Sequence, residues 1–558
     1  MASILFEEGI DGPKAPKSVH KTKQLLNNIV DGLARTRPQT LYGEIPVSPI
    51  TYDAGYRKVT YRALANAING VAWWLTKKLG RGKNFQSLCY IGWNDVRYVI
   101  MVLGAVKAGY KLLLLSPRNN IEATLNLFDE LDCQVLITTD PQPPSVKAIL
   151  EKASLQTLVV GSVEELLTTE YAHFPFNKTF EQAQDEPLVS LHTSGTTGLP
   201  RPVIYTHDWA ATYIQTIQLE PPAGFESLVR LYQGTRIFIL LPPFHASSMF
   251  GPLMEAIANQ SVILYPLATT VPSSTSMAEA LKYTTADTAV IAPPMVAEIA
   301  TNSELLEFLS KRIDVILFGG GDLPQAFGDI VTSKFRFYTS NGSTETGPYP
   351  LIRPSGEWPK DDWKYNQLHP MAGLEYRLQT DDLYEAVIVR NQKEEEIQPV
   401  FKLYPHLQEY RTKDLFSPHP TRPDLWTYRG RADDMINLAS GTINPTHMDH
   451  AIAAHPKVRD GLMVPVGKYA RERFASKTGL LVEVKEAEIL SEEDREKFVD
   501  EIWALAGEAN IKYREEARVL KSHIVIVDPQ KPLPRNGKGL VQRGLALENY
   551  AAELERLL

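Results

Sequence analysis

Between residues 85 and 140, short apolar runs alternate with longer runs in which apolar residues recur every three or four positions. The apolar runs are SLCYIGW, KLLLLS and QVLITT, and the periodic segments between them are VRYVIMVLGAVKAG and IEATLNLFDEL. Continuous apolar strands separated by helical periodicity are typical of a parallel sheet with crossover helices. The pattern predicts an α/β fold for this part of the chain.

The same kind of run returns four times further along, in RIFILLPP, SVILYPL, DTAVIAPP and DVILFGGG. Each of these runs breaks into proline or glycine. Open α/β sheets place their ligands at strand ends that give way to such loops. We therefore expect a ligand site where these strands end.

The character of the chain changes after Gly430. Ser491 is a plausible N-cap, and Phe498, Ile502 and Leu505 follow it at helical spacing in a segment that runs to Asn510. Together with the apolar runs LLVEV and HIVIV, this helix predicts a smaller α+β unit. We place a large N-terminal domain at 1–430 and a small C-terminal domain at 431–558.

The composition limits the classes of function. The chain has 558 residues, 44% of them hydrophobic, which predicts more than one globular domain. A net charge of −8 offers no basic field for nucleic acid or for an anionic membrane. The longest apolar stretch, 98–115, contains two lysines and is too short to span a bilayer comfortably, and the N-terminus lacks a secretory pattern. We expect a cytoplasmic protein without nucleic-acid or membrane partners.

The chain contains only two cysteines, Cys89 and Cys133. That number excludes a disulfide framework and a thiolate-rich metal site, and it fits a reducing compartment. We expect both to be core residues.

A glycine- and threonine-rich segment, LHTSGTTG, follows an apolar strand that ends near Leu191. Glycines let the main chain approach a polyanion closely, and the hydroxyls can donate hydrogen bonds to it. The segment is not a Walker loop, because no Gly-Lys-Ser/Thr closes it. An ordinary surface turn would have a similar composition, so the alternative is a loop without function. The predicted phosphate-binding residues are Thr193, Ser194, Gly195, Thr196, Thr197, Gly198 and the basic Arg201.

Four further motifs follow in order: NGSTETG at 341–347, YRTKDLF at 410–416, YRGRADDMI at 428–436 and PLPRNGKG at 532–539. With LHTSGTTG, this series resembles the adenylate-forming superfamily of acyl-CoA synthetases, peptide-synthetase adenylation domains and luciferases. The segments PPFHASSMFG and FGGGDLP and the dipeptide Asn444-Pro445 resemble a narrower group, the adenylation domains of fungal synthetase-like carboxylic acid reductases.

The resemblance implies a reaction in two steps. A carboxylate attacks the α-phosphate of ATP, pyrophosphate leaves, and the resulting acyl-adenylate passes its acyl group to a thiol. The thiol belongs to a phosphopantetheine on a carrier protein or to coenzyme A, so neither cysteine of this chain is needed as nucleophile. Because two anions meet in the first step, positioned donors, a cation and Mg²⁺ are required. The resemblance also implies that the small domain is mobile.

The resemblance assigns roles to individual residues. Thr344 would bond the α-phosphate, Glu345 would hold Mg²⁺, and Asp414 would accept hydrogen bonds from the ribose hydroxyls. Arg201 stands where the family usually has lysine, and Lys413 stands where it has glycine. The remaining implied nucleotide-binding residues are Asn341, Gly342, Ser343 and Arg431, with Asp433 as the hinge and Lys538 as the adenylation lysine.

The acid is expected to lack a free α-amine. Peptide-synthetase domains that take α-amino acids have an aspartate after the phenylalanine at the place where this chain has His245, and a neutral imidazole cannot pair with an ammonium. Three successive glycines would leave room for a flat ring, which favours an aryl acid, although they would equally serve a turn. The expected acid-binding residues are His245, Ala292, Pro293, Gly319, Gly320, Gly321 and Asn341.

Several functions remain open at this stage. The leading hypothesis is an adenylation domain that serves a carrier protein and is related to a larger reductase-like enzyme. Since the sequence ends 20 residues after Lys538, we expect adenylation but no reduction by this chain alone. The alternatives are a free-standing aryl- or acyl-CoA ligase, a luciferase-like monooxygenase, and a nucleotide-binding module that has lost its chemistry.

Overall fold

The largest sheet of the protein has seven strands. The computed structural model describes residues 23–193, 200–356, 358–380, 382–438, 441–466, 475, 477–485, 491–536 and 539–557. The spatial order of the seven strands is Arg336–Ser340, Val315–Gly319, Thr288–Ile291, Arg236–Ile239, Val262–Leu264, Leu41–Pro46 and Tyr56–Thr60. The first six are parallel, and the last is antiparallel to its neighbour. The four later apolar runs of the sequence therefore form one parallel sheet, as predicted.

A second sheet of six strands is built from the first half of the chain. Its order is Gln156–Val159, Val135–Thr138, Ser87–Ile91, Lys111–Leu114, Pro187–His192 and Pro202–Thr206, with only the last strand antiparallel. The helices Arg97–Ala108 and Ile121–Glu130 connect three of these parallel strands. The crossover pattern predicted between residues 85 and 140 is confirmed.

Smaller antiparallel sheets follow the two large ones. A four-stranded sheet runs in the order Leu374–Thr380, Leu383–Val389, Glu409–Pro418 and Trp426–Arg431. A three-stranded sheet joins Gln367–Leu368, Leu351–Pro354 and Phe225–Ser227, and a two-stranded hairpin joins Gly342–Ser343 to Gly347–Pro348. The four-stranded sheet carries YRTKDLF and the start of YRGRADDMI, and the hairpin carries NGSTETG.

The chain after Ile436 forms an α+β unit. Its sheets are Ile436–Leu438 with Gly441–Ile443, and Val458–Val466 with Lys477–Val484 and Ile524–Ile526. The helix Glu492–Asn510 is capped by the Ser491 hydroxyl, which accepts from Asp494 N at 3.2 Å, and its Phe498 and Ile502 are buried. Among the described residues, those from 436 onward form hydrophobic clusters of their own. The predicted combination of a large α/β part with a smaller α+β part is confirmed.

The helices cover the faces of the sheets. Those before residue 260 are Leu26–Thr36, Tyr61–Leu79, Arg97–Ala108, Ile121–Glu130, Pro144–Leu150, Val163–Thr168, Phe180–Ala183, His207–Ile217, Ala246–Phe250 and Ala256–Asn259, with a π-helical turn at Gly251–Glu255. Those after it are Ser274–Ala280, Pro293–Thr301, Ser303–Ser310, Gln325–Thr332, Val400–Leu403, Thr446–Ala453, Glu492–Asn510, Arg543–Asn549 and Ala551–Glu555. Within the described ranges, no helix is both long and apolar enough to cross a membrane.

Both cysteines lie in the hydrophobic interior beside the six-stranded sheet. Cys89 and Cys133 are 0% and 1% exposed and belong to one cluster with Leu113 and Leu136. Burial raises the pKa of the Cys133 thiol to about 11 and that of Cys89 well above its ordinary value. Both side chains are therefore protonated and unreactive at neutral pH.

Candidate active site

A cavity of about 1450 Å³ opens where the parallel strands of the seven-stranded sheet end, and residues from beyond 430 line its opposite side. Parallel strands all end at one edge, so motifs that follow different strands are brought together there. The predicted residues that line this cavity are Thr193, Arg201, His245, Pro293, Gly319, Gly320, Gly321, Asn341, Gly342, Ser343, Thr344, Glu345, Asp414, Arg431 and Asp433.

Three other groups of predicted residues have different outcomes. Ser194 to Gly198 and Lys538 lie outside the described residues. Ala292 is 1% exposed and packs in the main hydrophobic cluster, at the start of the helix Pro293–Thr301. Its neighbour Pro293, which was also predicted to bind the acid, lines the cavity.

The base of the glycine-rich segment is closed by hydrogen bonds between Thr193 and Arg201. Thr193 N donates to Arg201 O at 3.0 Å, and Arg201 N donates to the Thr193 hydroxyl at 3.1 Å. These bonds extend the pairing of the two antiparallel strands that end at His192 and begin at Pro202. The main chain of Arg201, a residue that lines the cavity, is thereby held in place.

The motif NGSTETG forms a tight turn between two short strands. Ser343 Oγ accepts hydrogen bonds from the main-chain N of Glu345 and of Thr346, each at 3.3 Å. Gly342 has a φ of 155°, and a Cβ there would overlap the carbonyl oxygen of Gly347, so glycine is required at that position. The Tyr205 hydroxyl donates to Thr344 O at 2.6 Å. The turn therefore holds Thr344 and Glu345 in fixed places on the cavity wall.

Glu345 is the carboxylate in this part of the cavity. Burial raises the pKa of Tyr205, and the negative charge of Glu345 raises it further. The same two effects act on Tyr410. The described residues contain no group of three or more His, Cys, Asp or Glu that could hold a metal ion on their own. A single carboxylate combined with phosphate oxygens is a common Mg²⁺ site, and Glu345 fits that donor set.

Asp414 is a buried carboxyl group on the strand Glu409–Pro418. It is 5% exposed, and burial raises its pKa to about 7 against the opposing charge of Arg431. The Tyr349 hydroxyl donates to Oδ2 at 3.4 Å, and Arg431 Nη1 lies 3.5 Å from Oδ1. A buried acceptor with few donors around it is suited to binding hydroxyl groups of a ligand.

Lys413 adopts a backbone conformation that is costly for residues other than glycine. Its φ is 62°, in the left-handed region that favours glycine. Its main-chain N donates to Glu385 Oε1 at 3.1 Å, and its Nζ lies 3.1 Å from Asp433 Oδ1. The chain thus keeps the backbone of a glycine-containing loop while adding an ion pair to Asp433, a contact that the sequence did not predict.

His245 stands at the N-cap of the helix Ala246–Phe250, with its ring centroid 4.9 Å from that of Phe244. Gly319 and Gly321, which line the same cavity, are each packed closely against a neighbouring residue. A Cβ on Gly319 would lie 2.7 Å from Ser340 O, and one on Gly321 would lie 2.9 Å from Leu540 Cδ1. These close approaches account for both glycines, so they give no separate support for a flat ring.

The described residues on either side of positions 537 and 538 are contacted by residues that the sequence did not single out. Arg118 Nη1 donates to Asn536 O at 2.8 Å, and Leu540 packs on Gly321. On the other side, Arg535 forms an ion pair with Asp460 at 2.6 Å and another with Glu483. Asn536 and Gly539, which flank the undescribed pair 537–538, line the cavity.

The comparison with protein families decides the class. The model of the AMP-binding enzyme family matches residues 44–389, and that of the AMP-binding enzyme C-terminal domain matches residues 433–558. The chain belongs to the AMP-binding enzyme family. The adenylate-forming superfamily predicted from the five motifs is thereby confirmed.

Two fungal relatives of this AMP-binding enzyme match almost its whole length. A carboxylic acid reductase of Neurospora crassa is 31% identical over 548 residues, which are 96% of this chain and 50% of the relative. An isocyanide synthase–NRPS hybrid of Aspergillus fumigatus is 31% identical over 551 residues, which are 97% of this chain and 34% of the relative. The chain therefore spans half or less of these curated relatives, and the predicted likeness to fungal carboxylic acid reductases is confirmed.

The fold of this AMP-binding enzyme is shared with solved structures. A benzoate CoA ligase from Burkholderia xenovorans LB400 superposes with a TM-score of 0.69, covering 93% of this chain and 99% of the ligase. Its sequence identity is 17%, so the similarity concerns the fold alone.

Proposed function

We propose that the chain activates a carboxylic acid with ATP, forming an acyl-adenylate and releasing pyrophosphate, and that it then transfers the acyl group to a thiol. The observation that carries the proposal is the meeting of His245, Glu345, Asp414 and Arg431 in one cavity at the strand ends. In the proposal, His245 lies at the acid site and Glu345 is the metal ligand. Asp414 accepts hydrogen bonds from hydroxyl groups, and Arg431 supplies a cation beside it.

The proposed nucleotide site follows from the described contacts. Asp414 would accept hydrogen bonds from the ribose hydroxyls, because the carboxyl is buried and Arg431 favours its ionised form. Arg201 and the loop residues Thr193 to Gly198 would hold the β- and γ-phosphates, with Thr344 at the α-phosphate. Mg²⁺, held by Glu345, would neutralise charge on the leaving pyrophosphate.

We propose a division at residues 430 and 431, with Asp433 as the hinge and Lys538 as the adenylation lysine. Support comes from the separate hydrophobic clusters after residue 436 and from the position of Asn536 and Gly539 at the cavity. A lysine carried by a mobile domain can enter the site for one step and leave for the next.

We propose an acid without a free α-amine, since His245 occupies the place of the usual ammonium-binding carboxylate and lines the cavity. The proposed acceptor is the phosphopantetheine thiol of a carrier protein, supported by similarity to a carboxylic acid reductase and an NRPS hybrid. Coenzyme A is the second candidate, because it also ends in a phosphopantetheine thiol.

Acid-dependent exchange of labelled pyrophosphate into ATP tests the first step. We expect exchange with aryl, aliphatic or keto acids and not with α-amino acids. Lys538→Ala should reduce exchange strongly while nucleotide binding is retained, and Glu345→Gln should raise the Mg²⁺ requirement. An absence of exchange with every acid of a broad panel would instead support a nucleotide-binding module without chemistry.

The acceptor is tested separately. A carrier domain bearing phosphopantetheine and free coenzyme A are offered in parallel to the enzyme with its best acid, and the acylated product is measured by mass spectrometry. Loading of the carrier at a higher kcat/KM supports the adenylation-domain proposal, and preferential formation of the CoA thioester supports the ligase.

A further inference from the structure

Glu255 is a buried carboxyl group that shares the cavity with the proposed active site. It ends the π-helical turn Gly251–Glu255, which continues the helix that begins after His245. Glu255 is only 8% exposed, yet it lines the cavity together with Tyr232. π-Helical turns are rare and are found frequently at functional sites.

Two tyrosines hold this carboxyl group. The Tyr213 hydroxyl donates to Glu255 Oε1, and the Tyr232 hydroxyl forms a second hydrogen bond. Burial raises the pKa of Glu255, and the two hydroxyls act against that shift. A carboxyl group has about four acceptor positions when ionised and fewer when protonated, so two donors leave some acceptor capacity unused in either form. Within the ranges that the structure describes, no cationic side chain forms an ion pair with Glu255.

The wall between His245 and Glu255 is apolar. Ile239, Val290 and Leu317 are in register on three neighbouring parallel strands, and all three line the cavity. The helix approaches this wall closely, since a Cβ on Gly251 would lie 2.9 Å from Ile239 Cδ1. The apolar surface suits a hydrocarbon body rather than a polar one.

The distance along this wall sets a length for the acid. Ten residues separate His245 from Glu255, and at helical rise they span on the order of 10 to 15 Å. A small acid such as benzoic acid, with its carboxyl group near His245, is too short to reach Glu255.

We infer that Glu255 determines specificity by accepting a hydrogen bond from a hydroxyl or amino group at the end of the acid remote from its carboxyl group. This inference rests on the proposed acid activation. The substrate class is an elongated apolar acid with a donor at its far end, because an acid without that donor would leave the buried acceptor unpaired. Leaving a buried polar group without its partner carries a free-energy penalty. This penalty is what lets such a pocket reject a ligand that lacks the donor.

Pyrophosphate exchange with matched acids tests this inference. One series is cinnamic, 4-hydroxycinnamic, 4-aminocinnamic and 4-methoxycinnamic acid, and the other is octanoic, 8-hydroxyoctanoic and 8-aminooctanoic acid. For the wild type we expect kcat/KM to be about tenfold or more higher for the donor-bearing members of at least one series. Comparison of the hydroxyl and amino members identifies which donor is preferred.

Substitution of Glu255 should change this preference and not merely the rate. Glu255→Met should favour the acids without a donor, and Glu255→Gln should keep part of the preference because its amide oxygen still accepts. Tyr213→Phe is the matched control, since it perturbs the same carboxyl group without removing it. Thermal stabilisation by MgATP shows that each variant is folded around the nucleotide site.

The outcomes separate the inference from the proposed function. A wild type that exchanges pyrophosphate without preferring donor-bearing acids overturns the inference and leaves the proposed function standing. So does a preference that survives in Glu255→Met, or an equal loss for all acids in that variant, which indicates a structural role. If no acid supports exchange by the wild type, the proposed function and the inference both fail.

Discussion

Asp414 is subject to opposing demands at the scale of a single residue. The proposed role at the ribose requires an ionised carboxyl group, whereas burial raises its pKa to about 7. Arg431, 3.5 Å away, offsets only part of the cost of burial. The protonation of this one group should therefore control both ligand binding and stability near neutral pH.

The affinity for adenosine should fall as the pH is lowered through about 7. Protonation of Asp414 removes an acceptor from the ribose hydroxyls, and adenosine avoids the titration of a phosphate group. Isothermal titration calorimetry across this range measures the effect. Asp414→Asn should bind more weakly and without this pH dependence, and a pH-independent affinity in the wild type would contradict the proposed role.

Asp414→Asn should also stabilise the free protein in mildly alkaline solution. The folded pKa of about 7 lies above the ordinary aspartate pKa of 3.8, so the contribution of Asp414 to stability is present below about 4 and is lost as the pH rises through 7. Removal of the charge should raise the free energy of unfolding at about pH 8 by roughly 1 to 4 kcal/mol. Thermal unfolding measured at about pH 4 and pH 8 should show the gain only at the higher pH.

At the scale of an element, the strand Glu409–Pro418 accommodates Lys413 at a position where the family usually has glycine. Lys413 occupies a left-handed backbone position, with a φ of 62°. The hydrogen bond from its main-chain N to Glu385 and that from the Thr412 hydroxyl to Ala386 O, at 2.7 Å, hold the loop. Its ion pair with Asp433 is partly exposed and is worth less than about 1 kcal/mol.

Lys413→Gly and Lys413→Ala should differ in stability. Both variants lose the ion pair, but only glycine relieves the left-handed strain, which costs other residues about 1 kcal/mol. We expect the glycine variant to melt above the alanine variant and close to the wild type, as followed by differential scanning calorimetry. Identical melting temperatures for the two variants would show that this backbone position is not strained.

At the scale of the whole molecule, the hydrogen bond from Arg118 to Asn536 O joins positions 418 residues apart. The packing of Leu540 on Gly321 lies in the same contact region. These contacts hold Asn536 and Leu540, which flank the undescribed pair 537–538, against residues of the first 430 positions. We expect these contacts to affect the adenylation step, because Lys538 is proposed to enter the cavity for that step.

Arg118→Gln should slow adenylation selectively. We expect pyrophosphate exchange to fall about three- to tenfold, as for the loss of one hydrogen bond of about 1 kcal/mol. Transfer from a preformed acyl-adenylate to the thiol should keep its rate, since the proposed domain rotation separates the two steps. Arg312→Gln is a matched control, because Arg312 is exposed and its Nη1 donates to Phe308 O in the helix Ser303–Ser310 that directly precedes it. An equal loss in both half-reactions would refute the selective role of Arg118.

The sequence predicted the elements and motifs that depend on local pattern. Alternating strand and helix periods identified the parallel sheets, and the resemblance of the motif series to the adenylate-forming superfamily pointed to Glu345, Asp414 and Arg431, which all line the cavity. The carboxyl ends of parallel strands lie at one edge, and this rule places Glu345 at the cavity because its motif follows the strand Arg336–Ser340. Asp414 and Arg431 reach the cavity from two antiparallel strands, so this rule does not account for their position.

The remaining features depend on contacts between distant positions. Nothing in the local sequence around Arg118 specifies Asn536, and Glu255 lies in an apolar helical run that resembles a core segment. The ion pair between Lys413 and Asp433 requires two strands to be in their final register. Such features arise from packing, which periodicity alone does not encode.

The burial of Cys89 and Cys133 makes the protein suitable for optical measurements without prior mutation of its native thiols. A maleimide dye reacts with exposed thiolates, and both native side chains are enclosed and protonated. Cysteines introduced on the surface, one on each side of residue 433, would then be the only groups labelled. Single-molecule energy transfer between the two dyes could follow each turnover as a change in distance.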